Sequence, residues 1–214
     1  MGKFLCLIYL LVANFNFAQN SKKDTIVEGK NYYFDVSLDM QTFNEGSDGK
    51  SRTTTKFINT KNDEVFAIYF YGSFAIYDYQ KGLKHNYSAR QKGDQYKLKY
   101  TGTEILQTKI NKNNTIKINK IGDLQYEITR SENNVEKEKL IAQLQRTDED
   151  LANSFFVNTE LLNTKNWLND LRKAEDNQPF AFSNYKVLME NEAWLDFKII
   201  KIQKYDLAIK VPKK

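Results

Sequence analysis

Alternation of hydrophobic and polar positions dominates the chain and begins at residue 32. Across residues 32–40 the hydrophobic positions are Tyr32, Phe34, Val36, Leu38 and Met40. Because successive side chains of a strand point to opposite faces, this pattern predicts a strand with one buried face. Similar runs bounded by turn residues predict strands at 51–59, 83–89, 95–100, 104–110, 115–120, 124–130, 135–146, 193–202 and 205–211.

Two neighbouring segments, 64–71 and 74–79, are hydrophobic or aromatic on both faces. They predict strands covered on both sides, or covered on one side and lining a cavity on the other. One face is expected to hold Phe66, Ile68, Phe70, Phe74 and Ile76. The other is expected to be dominated by Tyr69, Tyr71, Tyr77 and Tyr79.

Helical signals are few. Residues 147–150, a threonine followed by acids, resemble a helix start, and the spacing of Trp167, Leu168 and Leu171 predicts a helix over 164–174. Residues 135–146 are rich in Lys and Glu, but Leu140 and Leu144 alternate with glutamines and favour a strand. Turns recur every eight to twelve residues, which is typical of an antiparallel meander.

The first eighteen residues have the three parts of a secretory signal peptide. Lys3 supplies a positive charge, residues 4–17 are nearly continuously hydrophobic, and Ala18 is a plausible cleavage point. We therefore predict a signal peptide at 1–18 and a single antiparallel β domain at 19–214, exported to the periplasm or secreted. Cys6 lies within the predicted signal peptide, so the mature part has no cysteine for a disulfide, a zinc site or a nucleophile.

Charge and composition narrow the choice of partners. The net charge is +5 and the lysines are scattered along the predicted strands, so nucleic acid is not expected as a partner. No second hydrophobic segment approaches membrane length, so membrane contact is expected to be at most peripheral. An aromatic content of 14% with two prolines suits a well-packed β protein.

No catalytic, metal or cofactor motif emerges. The single histidine, His85, is on the hydrophobic side of a predicted strand, which favours a core or rim position, and no G-x-S-x-G pattern accompanies it. Residues 44–49 resemble a calcium loop, but Thr55 stands where a bidentate Glu is required, so a hairpin turn explains them better. We predict no catalytic residue, no metal and no cofactor.

The aromatic residues of segments 64–71 and 74–79 have a simple interpretation, a hydrophobic core under a tyrosine-rich surface. Three hypotheses for function remain beside it. The first is a non-enzymatic binding or carrier module for a hydrophobic ligand, a lipid or a hydrophobic peptide. Its predicted binding residues are Phe66, Ile68, Phe70, Phe74, Ile76 and Trp167, the last in a segment that closes the site. The second is an envelope module that binds a protein through the tyrosine face or a sheet edge. The third is a hydrolase assembled from scattered carboxylates.

Three segments resemble secreted flavobacterial proteins. They are the signal ending at residues 16–19, the run K-F-I-N-T-K-N-D at 56–63 and the run K-Y-D-L-A-I-K-V-P at 204–212. These are similar to Bacteroidota GLPGLI-like proteins, whose folds are likened to the lipoprotein carriers LolA and LolB. The resemblance implies a mainly β fold, a single curved antiparallel sheet forming a half-barrel or open barrel, with one or two short helices inside the concavity. Residues 24–26 also resemble a Bacteroidota O-glycosylation site.

Overall fold

Eleven strands form one open antiparallel sheet in the computed structural model, which describes residues 30–44, 51–93, 95–106, 114–155, 167–188 and 194–212. The strands are β1 (Asn31–Asn44), β2 (Arg52–Ile58), β3 (Val65–Phe70), β4 (Ser73–Asp78), β5 (Leu83–Lys92), β6 (Gln95–Ile105), β7 (Asn114–Gly122), β8 (Gln125–Glu132), β9 (Val135–Arg146), β10 (Phe180–Leu188) and β11 (Trp194–Lys210). A 3₁₀ helix spans Ala152–Ser154, and helix α1 spans Trp167–Ala174. The predicted fold class, mainly β with short helices, is confirmed.

The strand order is β6-β5-β4-β3-β2-β1-β11-β10-β9-β8-β7, so the chain meanders outward from β1 to the edge strand β6 and then inward from the other edge strand, β7, to β11 beside β1. Strand β6 ends at Ile105, and β7 begins nine residues later at Asn114. Nine residues reach at most about 32 Å, whereas eleven flat strands would hold the two edges about 48 Å apart. The sheet is therefore curved, and its edges approach each other without pairing.

In two places, the structure has one continuous strand where two consecutive strands were predicted. Segments 95–100 and 104–110 merge into β6, where the extra residue Thr101 is absorbed by a register shift opposite Asn86 and Tyr87; positions 107–110 lie outside the described residues. Segments 193–202 and 205–211 merge into β11, whose pairing with β1 shifts register twice. Polar residues within each segment had predicted a break between two strands. In the structure the strand continues, and a β-bulge accommodates the extra residue.

Strand β10 had no counterpart among the predicted strands. Three consecutive residues, Phe180, Ala181 and Phe182, are all buried, and the register then shifts between Phe182 and Asn184. Predicted helix 164–174 is confirmed over Trp167–Ala174, and residues 164–166 lie outside the described part of the chain. Three other predicted features also lie outside the described part of the chain. They are the signal peptide, the loop at 45–49 and residues 24–26, which resemble an O-glycosylation site.

Three hydrophobic clusters cover the two faces of the sheet within Asn31–Val211, which is one compact unit. One cluster, here the barrel-side core, joins β1–β6 with the end of β11 and includes Phe57, Phe74 and Tyr87. Another, the helix-side core, packs β8–β11 against Phe155 and α1. A third, around Leu38, Ile58 and Leu151, adjoins the 3₁₀ helix. Because Phe57 and Ile58 are consecutive on one strand, the barrel-side core lies on the opposite face from the third cluster.

Candidate ligand-binding groove

The β3–β4 hairpin decides which of the predicted binding residues share a face. Its strands pair Phe66 with Tyr77 and Ile68 with Ala75 across a two-residue turn. Even-numbered residues of β3 therefore share a face with odd-numbered residues of β4. The expected grouping of Phe66, Ile68 and Phe70 with Phe74 and Ile76 is wrong. Phe74 and Ile76 belong to the barrel-side core, whereas the Phe66 ring stacks on Tyr77 with centroids 5.0 Å apart.

A groove of about 920 Å³ runs along β2–β6 on the face opposite the barrel-side core. Small residues form its floor, because Ser73, Ala75, Ser88 and Gly102 leave room above the sheet. The remaining lining residues include Thr42, Arg52, Thr54, Ile68, Phe70, Phe74, Tyr77, Lys84, Asn86, Tyr87, Thr103 and Glu104. A volume of this order is within the range of pockets for small organic ligands.

Hydrophobic side chains and hydroxyl or amide groups both line the groove along its length, and charged residues lie at its ends. Ile68 and Phe70 from β3 and Tyr77 from β4 supply hydrophobic and aromatic surface. Burial raises the pKa of the Tyr77 hydroxyl, with a smaller contribution from Glu104, so this ring stays neutral. At one end Lys84 Nζ lies 3.6 Å from the Glu104 carboxylate, and at the other Arg52 begins β2.

The six predicted binding residues are divided among four places. Ile68 and Phe70 line the groove; Phe74 also contributes to its lining, although that side chain is 1% exposed and packs in the barrel-side core. Phe66 lies beside the groove against Tyr77, and Ile76 is buried on the opposite face. Trp167 packs on Phe155, with ring centroids 5.1 Å apart, in the helix-side core.

Lys56 connects the groove face to the segment that carries the 3₁₀ helix. Its side chain is buried, with Nζ donating to the Phe155 carbonyl at 2.8 Å and also to the Asn153 carbonyl. The same atom lies 4.1 Å from the centre of the Phe66 ring. Burial lowers the pKa of Lys56 to about 7, because a charged ammonium loses its hydration there.

His85 belongs to a buried hydrogen-bonded chain in the barrel-side half. The Tyr32 hydroxyl donates to Asp78 Oδ2 at 2.8 Å and lies 2.9 Å from His85 Nε2, while His85 Nδ1 lies 2.7 Å from the Thr103 hydroxyl. The Tyr32 hydroxyl has one proton, which goes to Asp78, so a neutral His85 donates from Nε2 and accepts at Nδ1. Both ring nitrogens thus link β5 to strands β1 and β6, and of the predicted core or rim positions His85 occupies the core.

A cluster of cations extends the groove face along the β5–β6 hairpin, and sequence reasoning missed it. Arg90, Lys92, Lys97 and Lys99, here called the basic strip, follow Ser88 on the same face. They are separated in sequence, and only the hairpin register brings them together. A regular alternation of cations with Ala89, Tyr96 and Leu98 across a predicted turn was the available signal.

No group of three or more His, Cys, Asp or Glu side chains in the described ranges of the chain is placed to hold a metal ion. Within the same ranges no helix is both long enough and hydrophobic enough to cross a membrane.

Comparison with known proteins finds likeness to solved structures. No family profile matches the chain, and no curated protein matches it. A LolA superfamily protein from Nitrosomonas europaea is similar over 82% of this chain and 87% of its own, with 6% sequence identity and a TM-score of 0.33.

Proposed function

We propose that this protein is a non-enzymatic binding or carrier module for a hydrophobic ligand such as a lipid, acting in the cell envelope. The observation that supports it is the groove of about 920 Å³, floored by small residues and walled by Ile68, Phe70 and Tyr77. A long apolar chain gains about 0.8 kcal/mol for each methylene that it buries in such a groove.

The polar residues of the groove suit an amphiphile better than a hydrocarbon. Arg52 at one end and Lys84 at the other offer cationic partners, while Asn86 offers a side-chain amide. Polar groups placed beside hydrophobic surface orient a ligand that has one polar head.

Protein binding through a sheet edge is less favoured. The two edge strands, β6 and β7, carry exposed lysines, among them Lys97, Lys99 and Lys117. Lysines on an edge oppose the addition of another strand. Ligand binding in the groove is therefore better supported than protein binding at a sheet edge.

Filling the groove tests the proposal. Ala75 lies on the floor between Ile68 of β3 and Asn86 of β5, so Ala75→Phe places a ring where the ligand would lie. We expect this variant to bind a fluorescent fatty acid at least about tenfold more weakly, since ligand and ring compete for one volume. The measurement is a fluorescence titration, with native mass spectrometry of protein purified from the envelope to detect co-purified lipid.

The matched control is Ala208→Phe, which adds the same ring at an exposed position of β11. It should bind the probe as the unchanged protein does. Equal binding by both variants would place the ligand elsewhere, and absence of both probe binding and co-purified lipid would rule out the carrier function.

A further inference from the structure

The distal half of the β5–β6 hairpin presents like charges directly opposite each other. Arg90 pairs with Lys97 across the two strands, and Lys99 lies opposite Ser88 on the same face. The alternate residues, Ala89 and Leu98, face the barrel-side core. The cations therefore form one exposed strip along the ribbon.

Elsewhere the sheet pairs opposite charges at directly facing positions. Lys84 faces Glu104 near the base of the same hairpin, with 3.6 Å between charged atoms. Arg130 faces Glu138 at 2.7 Å, and Lys186 faces Asp196 at 3.5 Å. No residue of the basic strip forms an ion pair in the part of the chain that the structure describes. Since like charges facing each other destabilise a sheet, an anionic partner would relieve this repulsion.

An exposed aromatic residue adjoins the strip. Tyr71, at the β3–β4 turn, is 71% exposed and has a positive φ of 43°, a conformation that disfavours a bulky residue. The following residue, Gly72, accepts a hydrogen bond from the Ala89 backbone N–H at 2.7 Å, which fixes the turn beside the start of the strip. Backbone strain at an exposed aromatic residue points to a role for that side chain outside the folded core.

We propose that the basic strip and Tyr71 dock the protein on an anionic lipid bilayer. Lysines and arginines bind anionic headgroups, and tyrosine favours the interface between headgroups and acyl chains. Ser88, Arg52 and Phe70 line the groove at this end, so docking brings the mouth of the groove to the membrane surface. The inference deepens the proposed function but depends on different residues.

Charge reversal at the strip tests the docking. The double substitution Arg90→Glu with Lys97→Glu keeps like charges opposite each other, so the two facing side chains repel as they do in the unchanged protein. We expect its binding to phosphatidylcholine vesicles with 30% phosphatidylglycerol to fall about tenfold or more in a sedimentation assay at low salt, because each cation near an anionic surface contributes several-fold. The control, Lys198→Glu with Lys210→Glu, changes the net charge equally at exposed positions of β11 that face uncharged residues, and should bind nearly as well.

Two single substitutions separate docking from folding. Lys97→Glu creates an opposite-charge pair with Arg90, so it should raise the midpoint of thermal unfolding while weakening vesicle binding. Tyr71→Asn places a residue suited to positive φ at the turn, so it too should raise that midpoint while weakening vesicle binding.

The outcomes distinguish this proposal from the carrier function. Ala75→Phe should still bind the anionic vesicles, because the strip is untouched. Equal binding to pure phosphatidylcholine vesicles would overturn the docking proposal. So would unchanged binding by the strip variants, or tighter binding of a soluble polyanion such as heparin than of the vesicles.

Discussion

Lys56 illustrates how the environment of one residue decides its protonation. It sits on β2 between Leu38 of β1 and Ile68 of β3, and it is 1% exposed. A lysine in a threonine-rich alternating strand would ordinarily face solvent. Here its face is covered by the 3₁₀ helix segment, whose carbonyl groups at Asn153 and Phe155 accept its hydrogen bonds.

This burial makes stability depend on pH. The unfolded chain holds the lysine proton up to about pH 10.5, whereas the folded chain releases it near its pKa of about 7. Between these values the unfolded state binds more protons than the folded state, so the free energy of unfolding rises with pH. Below pH 7 the folded state bears the full cost of burying the charged Lys56 ammonium. We expect Lys56→Met to remove this rise, which is on the order of a few kcal/mol in total.

Urea unfolding at pH 6.5, 8 and 9.5 measures the slope for each variant. Lys201→Met, at an exposed position, is the control and should keep the slope of the unchanged protein. Equal slopes for the unchanged protein and Lys56→Met would show that Lys56 stays charged on folding.

At the scale of elements, helix α1 depends on its docking contacts. Eight residues are too few for a stable isolated helix, so packing must hold it. Trp167 and Leu171 supply buried hydrophobic surface at one side. Just after its last turn, the buried Glu175 accepts hydrogen bonds from Tyr126 of β8, Lys120 of β7 and Arg146 of β9.

Glu175 is held in its charged form by these partners. Burial acts to raise its pKa, but the hydrogen bonds from Tyr126 and Lys120 and the charges of Lys120 and Arg146 outweigh that effect and lower it. Burial and the bond to Glu175 raise the pKa of Tyr126 to about 12, so the phenol remains a donor. The carboxylate therefore ties the end of the helix to three strands.

We expect Glu175→Gln to lower the free energy of unfolding by about 1.5–3 kcal/mol, because hydrogen bonds to a charged acceptor are replaced by weaker ones. Guanidinium unfolding followed by circular dichroism measures the loss. Asp170→Asn, which breaks only the exposed pair with Lys173, should change it by less than about 1 kcal/mol. Equal losses in the two variants would contradict a docking role for Glu175.

For the molecule as a whole, strands β1 and β11 each contribute to hydrophobic clusters on both faces of the sheet. Phe34 belongs to the barrel-side core, and two residues later Val36 belongs to the cluster on the other face, across a register shift. Strand β11 likewise contributes Phe197 to the helix-side core and Ile209 to the barrel-side core. Because β11 is part of both the barrel-side core and the helix-side core, and β1 is part of the barrel-side core and the third cluster, the barrel-side and helix-side cores should unfold together.

A small cavity in one core tests this cooperativity. Ile76→Val in the barrel-side core should cost about 0.5–1.5 kcal/mol. We expect tryptophan fluorescence, which reports on Trp167 in the helix-side core and on Trp194 at the start of β11, and circular dichroism to shift to the same lower denaturant midpoint. A shift seen by only one of the two probes would indicate independently unfolding halves.

The sequence alone determined most element types. Alternation is a local property of a strand, so β1, β5 and β9 could be predicted from hydrophobic positions without knowledge of their partners. The same reasoning placed His85 in the core and predicted α1 over its described residues. Strand β10 escaped it, because its bulge at Ser183 follows three consecutive buried residues and breaks the period.

Only the tertiary structure decided which side chains share a face and which meet across strands. The turn at Tyr71 and Gly72 set the register that separates Phe66 from Phe74, and a turn one residue longer would have reversed it. Likewise, the hairpin register brings Arg90 opposite Lys97, although seven positions separate them in sequence. The hydrophobic pattern is a local property of each segment of the sequence. The groove and the basic strip arise from strand register and sheet curvature, which depend on contacts between segments.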